Sequence, residues 1–240
     1  MYRGLKVAAV APVLDEERHI RTVVRRTPRT IVDETVVVDD GSGDGSAAAA
    51  RDEGATVLCL GQTRGVGAAL RHAYGYALGR GHDVIVTMAG NNKDAPEEIP
   101  LLLDPLAEGR ADFVQGSRFL KADPDFGDMP FYRRFATRLH PLAFSMVAGR
   151  KVSESTNGFR AFRAVILRDP RLRLDQSWLD EYELEPYLMF KVIRLGYGFA
   201  EAPVTKIYPP KKLGQTKMRP ITGWWSILRP LVYLGLGLKE

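Results

Sequence analysis

Asp39 and Asp40 stand at the end of a β-branched run, Glu34 to Val38, and open the segment Asp39-Asp40-Gly41-Ser42-Gly43-Asp44-Gly45-Ser46. A carboxylate left unpaired beside a buried strand costs roughly several kcal/mol. These two therefore need partners: a ligand hydroxyl or base N–H, a cation, or nearby backbone N–H groups. A purely local reading also exists, in which Asp40 closes an Asx-turn and Ser46 caps the next helix. Three other polar or glycine-bearing runs follow apolar stretches in the same way: Pro12 to Glu17, Ala89 to Asp94 and Gly116 to Arg118. Recurrence at several strand ends is hard to explain by turn chemistry alone. It points to one crevice that takes a polar ligand.

The elements that must carry these runs alternate. Leu5 to Ala11 reads as a buried strand ended by Pro12, and Asp15 to Arg26 as an amphipathic helix with Ile20, Val23 and Val24 on one face. Glu34 to Val38 is a second strand and Ala47 to Glu53 a second helix; Thr56 to Leu60, Gly67 to Leu78 and Asp83 to Met88 follow as strand, helix and strand, with Asp112 to Gln115 a further strand. This alternation predicts an α/β fold, a parallel sheet with helices on both faces, in which ligands bind beyond the carboxyl ends of the strands.

The second half is less regular. Lys121 to Pro130 is expected to be a mobile loop, Arg133 to Ala148 and Glu181 to Leu195 helices, and Phe199 to Ile207 a strand interrupted by Pro203. A basic, Pro/Gly-rich loop with Lys211, Lys212, Lys217 and Arg219 comes next. The expected division is an α/β domain over 1–210 and a basic loop with an amphipathic tail over 211–240.

Composition narrows the class. The 240 residues suffice for one α/β domain, and 45% hydrophobic with 26% charged residues is globular composition. Cys59 is the single cysteine, which excludes an intrachain disulfide framework and fits a reducing cytoplasm. His19, His72, His82 and His140 show no metal-ligand spacing. A net charge of +5 does not imply nucleic-acid binding, and suits a phosphate-bearing substrate or an anionic membrane surface. Met1 to Val10 has no signal-peptide pattern, and no apolar run is long enough to span a bilayer.

Taken in order, several segments resemble the family 2 glycosyltransferases of GT-A fold, with a mostly parallel, Rossmann-like sheet. They are Val7 to Glu17, Val37 to Ser46, Arg64 to Ala69, Pro96 to Pro100, Asp112 to Phe119, Thr156 to Phe162, Glu201-Ala202-Pro203 and Gly214 to Lys217. The order is most similar to that of the dolichyl- or polyprenyl-phosphate hexose synthases. The resemblance implies roles. Pro12, Leu14 and Glu16 match the loop that holds the nucleoside of a sugar nucleotide, and Asp39, with Asp40 and Gly41 beside it, the carboxylate on the base or ribose. Arg118 and Arg133 match arginines near the diphosphate and the acceptor phosphate, with Thr137 one turn after Arg133. Lys211 and Lys217 match a basic pair on a loop that closes over the phosphates.

One departure stands out. The family usually carries Asp-x-Asp after the fourth strand to hold Mg2+ or Mn2+ against the diphosphate, and those positions here are Ala89 and Asn91, with Lys93 two residues on. Ala89 binds no cation. Lys93 is expected to bring positive charge to the diphosphate and weaken metal dependence, while a metal held by Asp40, Asn91 and Asp94 is the alternative. The resemblance further implies displacement at the anomeric carbon with inversion. A phosphate acceptor, already anionic, needs no base; an alcohol would need one, for which Asp180, Glu181 and Glu185 are candidates, unless they are simply helix N-terminal acids.

The tail, Ile221 to Leu238, carries Trp224, Trp225 and several aliphatic residues, so it suits a membrane interface or a helix packed on protein. The first reading is a cytoplasmic, peripherally membrane-bound transferase that moves a hexose from a GDP- or UDP-sugar to a polyprenyl phosphate. A soluble transferase with a small-metabolite acceptor is the second, and a nucleotide-sugar-binding protein that lost catalysis the third. Homo-oligomers fit any of them.

Overall fold

The computed structural model describes residues 1–208 and 222–239. Its seven strands are β1 (Val7–Val13), β2 (Glu34–Asp39), β3 (Thr56–Cys59), β4 (Val84–Thr87), β5 (Phe113–Ser117), β6 (Arg160–Arg163) and β7 (Phe199–Pro203). The helices are α1 (Glu17–Arg26), α2 (Ser46–Asp52), α3 (Val66–Gly79), α4 (Ile99–Ala107), α5 (Phe131–Ala148), α6 (Leu184–Arg194) and α7 (Thr222–Gly235). The strands form one sheet in the order β3-β2-β1-β4-β6-β5-β7, all parallel except β6, which runs antiparallel to both neighbours.

Strand alternation sends Val36 and Val38 to one face and Val37 to the other. The first face packs on α3, α5, α6 and α7 through residues such as Leu70, Ala73, Phe144, Leu188 and Leu231. The second packs on α1, α2 and α4 through Ile20, Val23, Ala49, Leu102 and Leu106. Helix α1 also has Glu17 in its first turn and Arg25 and Arg26 in its last, which complements the helix dipole.

The sheet is mostly parallel, as the resemblance implied; the antiparallel strand, Arg-Ala-Phe-Arg at 160–163, is half charged and short and gives no strand signal. Three expectations need correction. Pro12 does not end β1. Val10 accepts Met88 N–H, so Pro12, two residues on, faces the same side beyond the last β4 pairing at Thr87, where its missing N–H breaks no ladder bond. Lys121 to Pro130 is a loop but an anchored one: Phe126 and Met129 are buried with Tyr208, and Gly127 bridges Tyr208. Helix α6 starts at Leu184, three residues later than expected, since Asp180 and Glu181 are drawn against α3.

The tail helix joins the core. Leu231 is buried in the first layer, the Trp178 and Tyr233 rings meet edge-on at 5.6 Å, and Arg229 pairs with the buried Glu183 carboxylate. Burial pushes the Glu183 carboxyl above its usual range, opposed by Arg229.

Candidate functional site

The carboxyl ends of β1, β2, β4 and β5 lie along one edge of the sheet, and the chain leaving parallel β7 arrives there too. Strand order reverses between β1 and β4, the usual position of a ligand crevice. A Cβ at Gly90 would lie 2.8 Å from the Pro12 carbonyl oxygen, so the loops after β1 and β4 touch only because that residue is glycine.

At the end of β2 the two aspartates have different tasks. Asp39 Oδ1 accepts the Ser42 N–H at 3.0 Å, and no other hydrogen bond reaches this carboxylate from the described residues. Asp40 spends both oxygens on the Arg64 and Gly65 N–H groups, at 2.7 and 2.9 Å, and so pins the loop after β3. Gly41, at φ 81°, sits so close that a Cβ would approach Gln62 C to 2.6 Å. Asp40 and Gly41 are thus fasteners here, and of the alternatives for Asp40 the backbone N–H groups win. Ser46 is the first residue of α2 rather than its cap; its N–H donates to Asp44 Oδ1 at 2.9 Å, and its Oγ accepts the Glu16 N–H at 2.8 Å. Glu16 also holds His19 Nδ1 at 2.8 Å.

The loop after β4 is joined to the chain after β7. Asp94 Oδ2 accepts the Ala89 N–H and Oδ1 pairs with Lys206 Nζ, both at 2.7 Å, and Ile207 N–H donates to the Lys93 carbonyl at 3.0 Å. Lys93 is buried, with Nζ 5.0 Å from the Tyr208 ring centre. Burial, then Lys206 and Arg133, push its ammonium down to about 8, against the pull of Glu16 and Asp94. Arg133, on α5, stands over the same ring at 5.5 Å.

Arg118 follows β5 and is 2% exposed, with Nε 2.6 Å from the carboxylate of Glu154, itself 0% exposed. Burial alone would lower the guanidinium's pKa, but Glu154 and Tyr208 hold it above its ordinary value. Glu154 Oε1 further accepts the Thr156 N–H and hydroxyl, at 2.9 and 2.7 Å. Lys93, Arg118 and Arg133 therefore meet at Tyr208, with Lys206 within electrostatic reach of Lys93.

Other expected residues lie elsewhere or are otherwise engaged. Thr137 turns its hydroxyl back to the Arg133 carbonyl at 2.9 Å. Asp180 pairs with Arg71 and lines a cavity of about 730 Å³ with Gln62, Thr63 and Arg64. Burial, then Glu181 and Glu185, raise the Tyr182 phenol, whereas Arg133 lowers it, so all three charges act on that ring. Glu185 also meets the buried Arg160 at 3.3 Å. Lys211 and Lys217 fall outside the described residues. Glu154, where the family commonly has Asp, pairs with Arg118. Lys206 and Tyr208 are the additions; the only sequence signal for Lys206 is a lysine just past a strand end.

Residues 10–169 match the family model for Glycosyl transferase family 2. The chain belongs to that family. This family 2 glycosyltransferase is 30% identical over 220 residues to an undecaprenyl-phosphate mannosyltransferase of Micrococcus luteus, covering 89% of this chain and 88% of the relative. It is 28% identical over 222 residues to a polyprenol monophosphomannose synthase of Mycolicibacterium smegmatis, covering 89% and 81%. Its fold is that of glucosyl-3-phosphoglycerate synthase from Mycobacterium tuberculosis, solved with Mn2+, UDP and glucosyl-3-phosphoglycerate: TM-score 0.69 at 21% identity, covering 98% of this chain and 80% of the other. The fold is thus GT-A, as the resemblance implied.

A divalent cation does not fit the residues present. Hard cations need several oxygen ligands, and the Ala89 side chain offers none. Both oxygens of Asp94, and both of Asp40, already take protein donors. Asn91 keeps a buried, unpartnered Oδ1, and the described residues include no group of three or more His, Cys, Asp or Glu that could hold a metal.

Proposed function

We propose that this family 2 transferase moves a hexosyl group, with inversion at the anomeric carbon, from a guanosine or uridine diphosphate sugar to a polyprenyl phosphate at a membrane surface, on its cytoplasmic side. The observation that carries the reading is the junction at Arg133. Inward, Arg133 joins the cations around Tyr208. Outward, the helix that bears it leaves Phe131, Phe135, Leu139, Leu142 and Met146 exposed, with Phe131 83% and Met146 79% accessible. Their spacing makes one continuous helical stripe.

The exposed Arg134 and Arg138 border that stripe, and α7, packed beside α5, exposes Trp225, Leu228, Val232 and Leu236. A ligand with one anionic head and a long hydrocarbon body matches this junction of charge and apolar surface. The names of the relatives from Micrococcus and Mycolicibacterium support the same acceptor class. Among the described residues no helix is long and apolar enough to cross a membrane.

In the reaction, an acceptor phosphate oxygen forms the new bond to the anomeric carbon while the bond from that carbon to the donor diphosphate breaks. The nucleoside diphosphate leaves with the electron pair. The acceptor is already an anion, so no side chain need remove a proton. Arg133 orients it, Lys93 faces the charge that grows on the leaving diphosphate, and Asp39 offers a carboxylate oxygen to the nucleoside.

Radiolabelled GDP-mannose and UDP-glucose, each supplied with a polyprenyl phosphate in anionic vesicles, test the reading. Label should pass to the organic phase, and Leu142→Glu with Met146→Glu should cut transfer in vesicles at least tenfold while sparing transfer to a short-chain acceptor in detergent. Label confined to a water-soluble product, or no effect of the double substitution, would contradict it.

A further inference from the structure

We propose that two ammonium groups, Lys93 and Lys206, hold the donor diphosphate in place of a divalent cation, with Lys206 bound to the one carboxylate of the β4 loop. The inference rests on the reading above and adds how the same site grips its ligand without metal.

Three observations lead to it. First, the carboxylate of the β4 loop holds an ammonium group. Asp94 is its only carboxylate, and Lys206 Nζ sits on that group at 2.7 Å while the Ala89 N–H takes the other oxygen. A metal entering there would have to displace a buried ion pair, since Asp94 is 3% and Lys206 8% exposed. The bridge between Asp94 and Lys206 and the Ile207 to Lys93 hydrogen bond fix the ammonium-bearing strand against the loop, so Lys206 is positioned by backbone pairing rather than by chance contact.

Second, other cations crowd Lys93: Lys206 and Arg133 push its ammonium down more than Glu16 and Asp94 pull it up. The buried acids Asp94 and Glu154 are held in the close pairs Asp94–Lys206 and Glu154–Arg118. A diphosphate brings negative charge to these cations.

Third, Arg118 Nη1 is a buried donor with no partner among the described residues, on a side chain 2% exposed and next to Tyr208. Such a donor is costly unless an acceptor arrives, and a phosphate oxygen is an acceptor of the right charge. A divalent ion at this spot would meet repulsion from every neighbouring cation; a diphosphate meets attraction from all of them.

The experiment is calorimetric titration of the full chain with UDP and with GDP, once in EDTA and once in Mn2+, on the wild type, Lys206→Met and the double variant Asp94→Asn/Lys206→Met. The double variant removes the buried pair together, so no charge is left alone in the core, and a melting curve confirms that it folds. One of the two nucleotides should bind the wild type in EDTA with an affinity within about threefold of that in Mn2+, and both variants should bind it at least tenfold more weakly in EDTA. Binding to the wild type only when Mn2+ is present would overturn the inference and leave the transferase reading standing. Unchanged affinity in the double variant would also overturn it. Failure of both nucleotides to bind under either condition would overturn the inference and the reading together.

Discussion

Glu154→Ala is expected to destabilise the protein by about 3–5 kcal/mol, the usual cost of removing one partner of a buried ion pair. The wild-type pair is sealed: Arg118 and Glu154 are 2% and 0% exposed and 2.6 Å apart. Truncation leaves a guanidinium in the core with no carboxylate, and also leaves the Thr156 N–H and hydroxyl without their acceptor. For a chain of this size the loss corresponds to a melting temperature lower by roughly 6–20 °C. Glu154→Gln keeps a neutral oxygen for Thr156 and should fall between. A scanning calorimetry trace that moves by less than about 2 °C for the alanine variant would show that the pair is not buried as described.

Lys93→Met should act in the opposite sense on stability while abolishing tight donor binding. In the folded state the Lys93 ammonium sits at about 8 rather than 10.5, so below pH 8 the fold holds a charge it disfavours. The unfolded chain binds the proton more tightly. Between pH 8 and 10.5 the unfolded state carries the extra proton, and stability rises with pH across that window. Below it the full penalty applies, about 3 kcal/mol by the linkage relation. Removing the ammonium should therefore raise the melting temperature at pH 7 by roughly 6–12 °C and flatten the rise toward alkaline pH. The same substitution should weaken binding of the nucleoside diphosphate about a hundredfold, as loss of a buried charge-assisted contact would. In the wild type, affinity should be level below pH 8 and fall up to tenfold per pH unit above it, as Lys93 loses its charge. A variant that melts no higher than wild type at pH 7, or binding that is flat from pH 7 to 10, would contradict this.

The sequence makes most of the fold readable because hydrophobic period is a strong signal in its first half. Val36 to Val38, or Ile20 with Val23 and Val24, have one arrangement that buries them, and the structure adopts it. Strand β6 and helix α4 escape for opposite reasons. The first is short and half charged, with Arg160 buried only because Glu185 and backbone carbonyls receive it. The second is a run of leucines broken by Pro100 and Pro105; Pro100 is tolerated because it stands in the first turn, where the N–H needs no partner, while Pro105 lies inside the helix.

At the site, residue types at strand ends reveal where polar groups gather but not which of them are already spent. Asp39 and Asp40 are neighbours in sequence, yet one accepts a single N–H at one oxygen and the other ties down a loop through two backbone N–H groups. Likewise Lys206 is invisible without the bridge that sets it on Asp94, a pairing across 112 residues.

Diffraction from crystals soaked with UDP or GDP tests most directly whether the crevice over the sheet edge grips a nucleoside diphosphate. The diphosphate should appear within hydrogen-bond distance of Lys93, beside Tyr208, with the nucleoside against Asp39. Density for the phosphates in the groove of Arg64 and Arg71 instead, or an Arg118–Lys93 cluster that stays empty while nucleotide binds elsewhere, would contradict it.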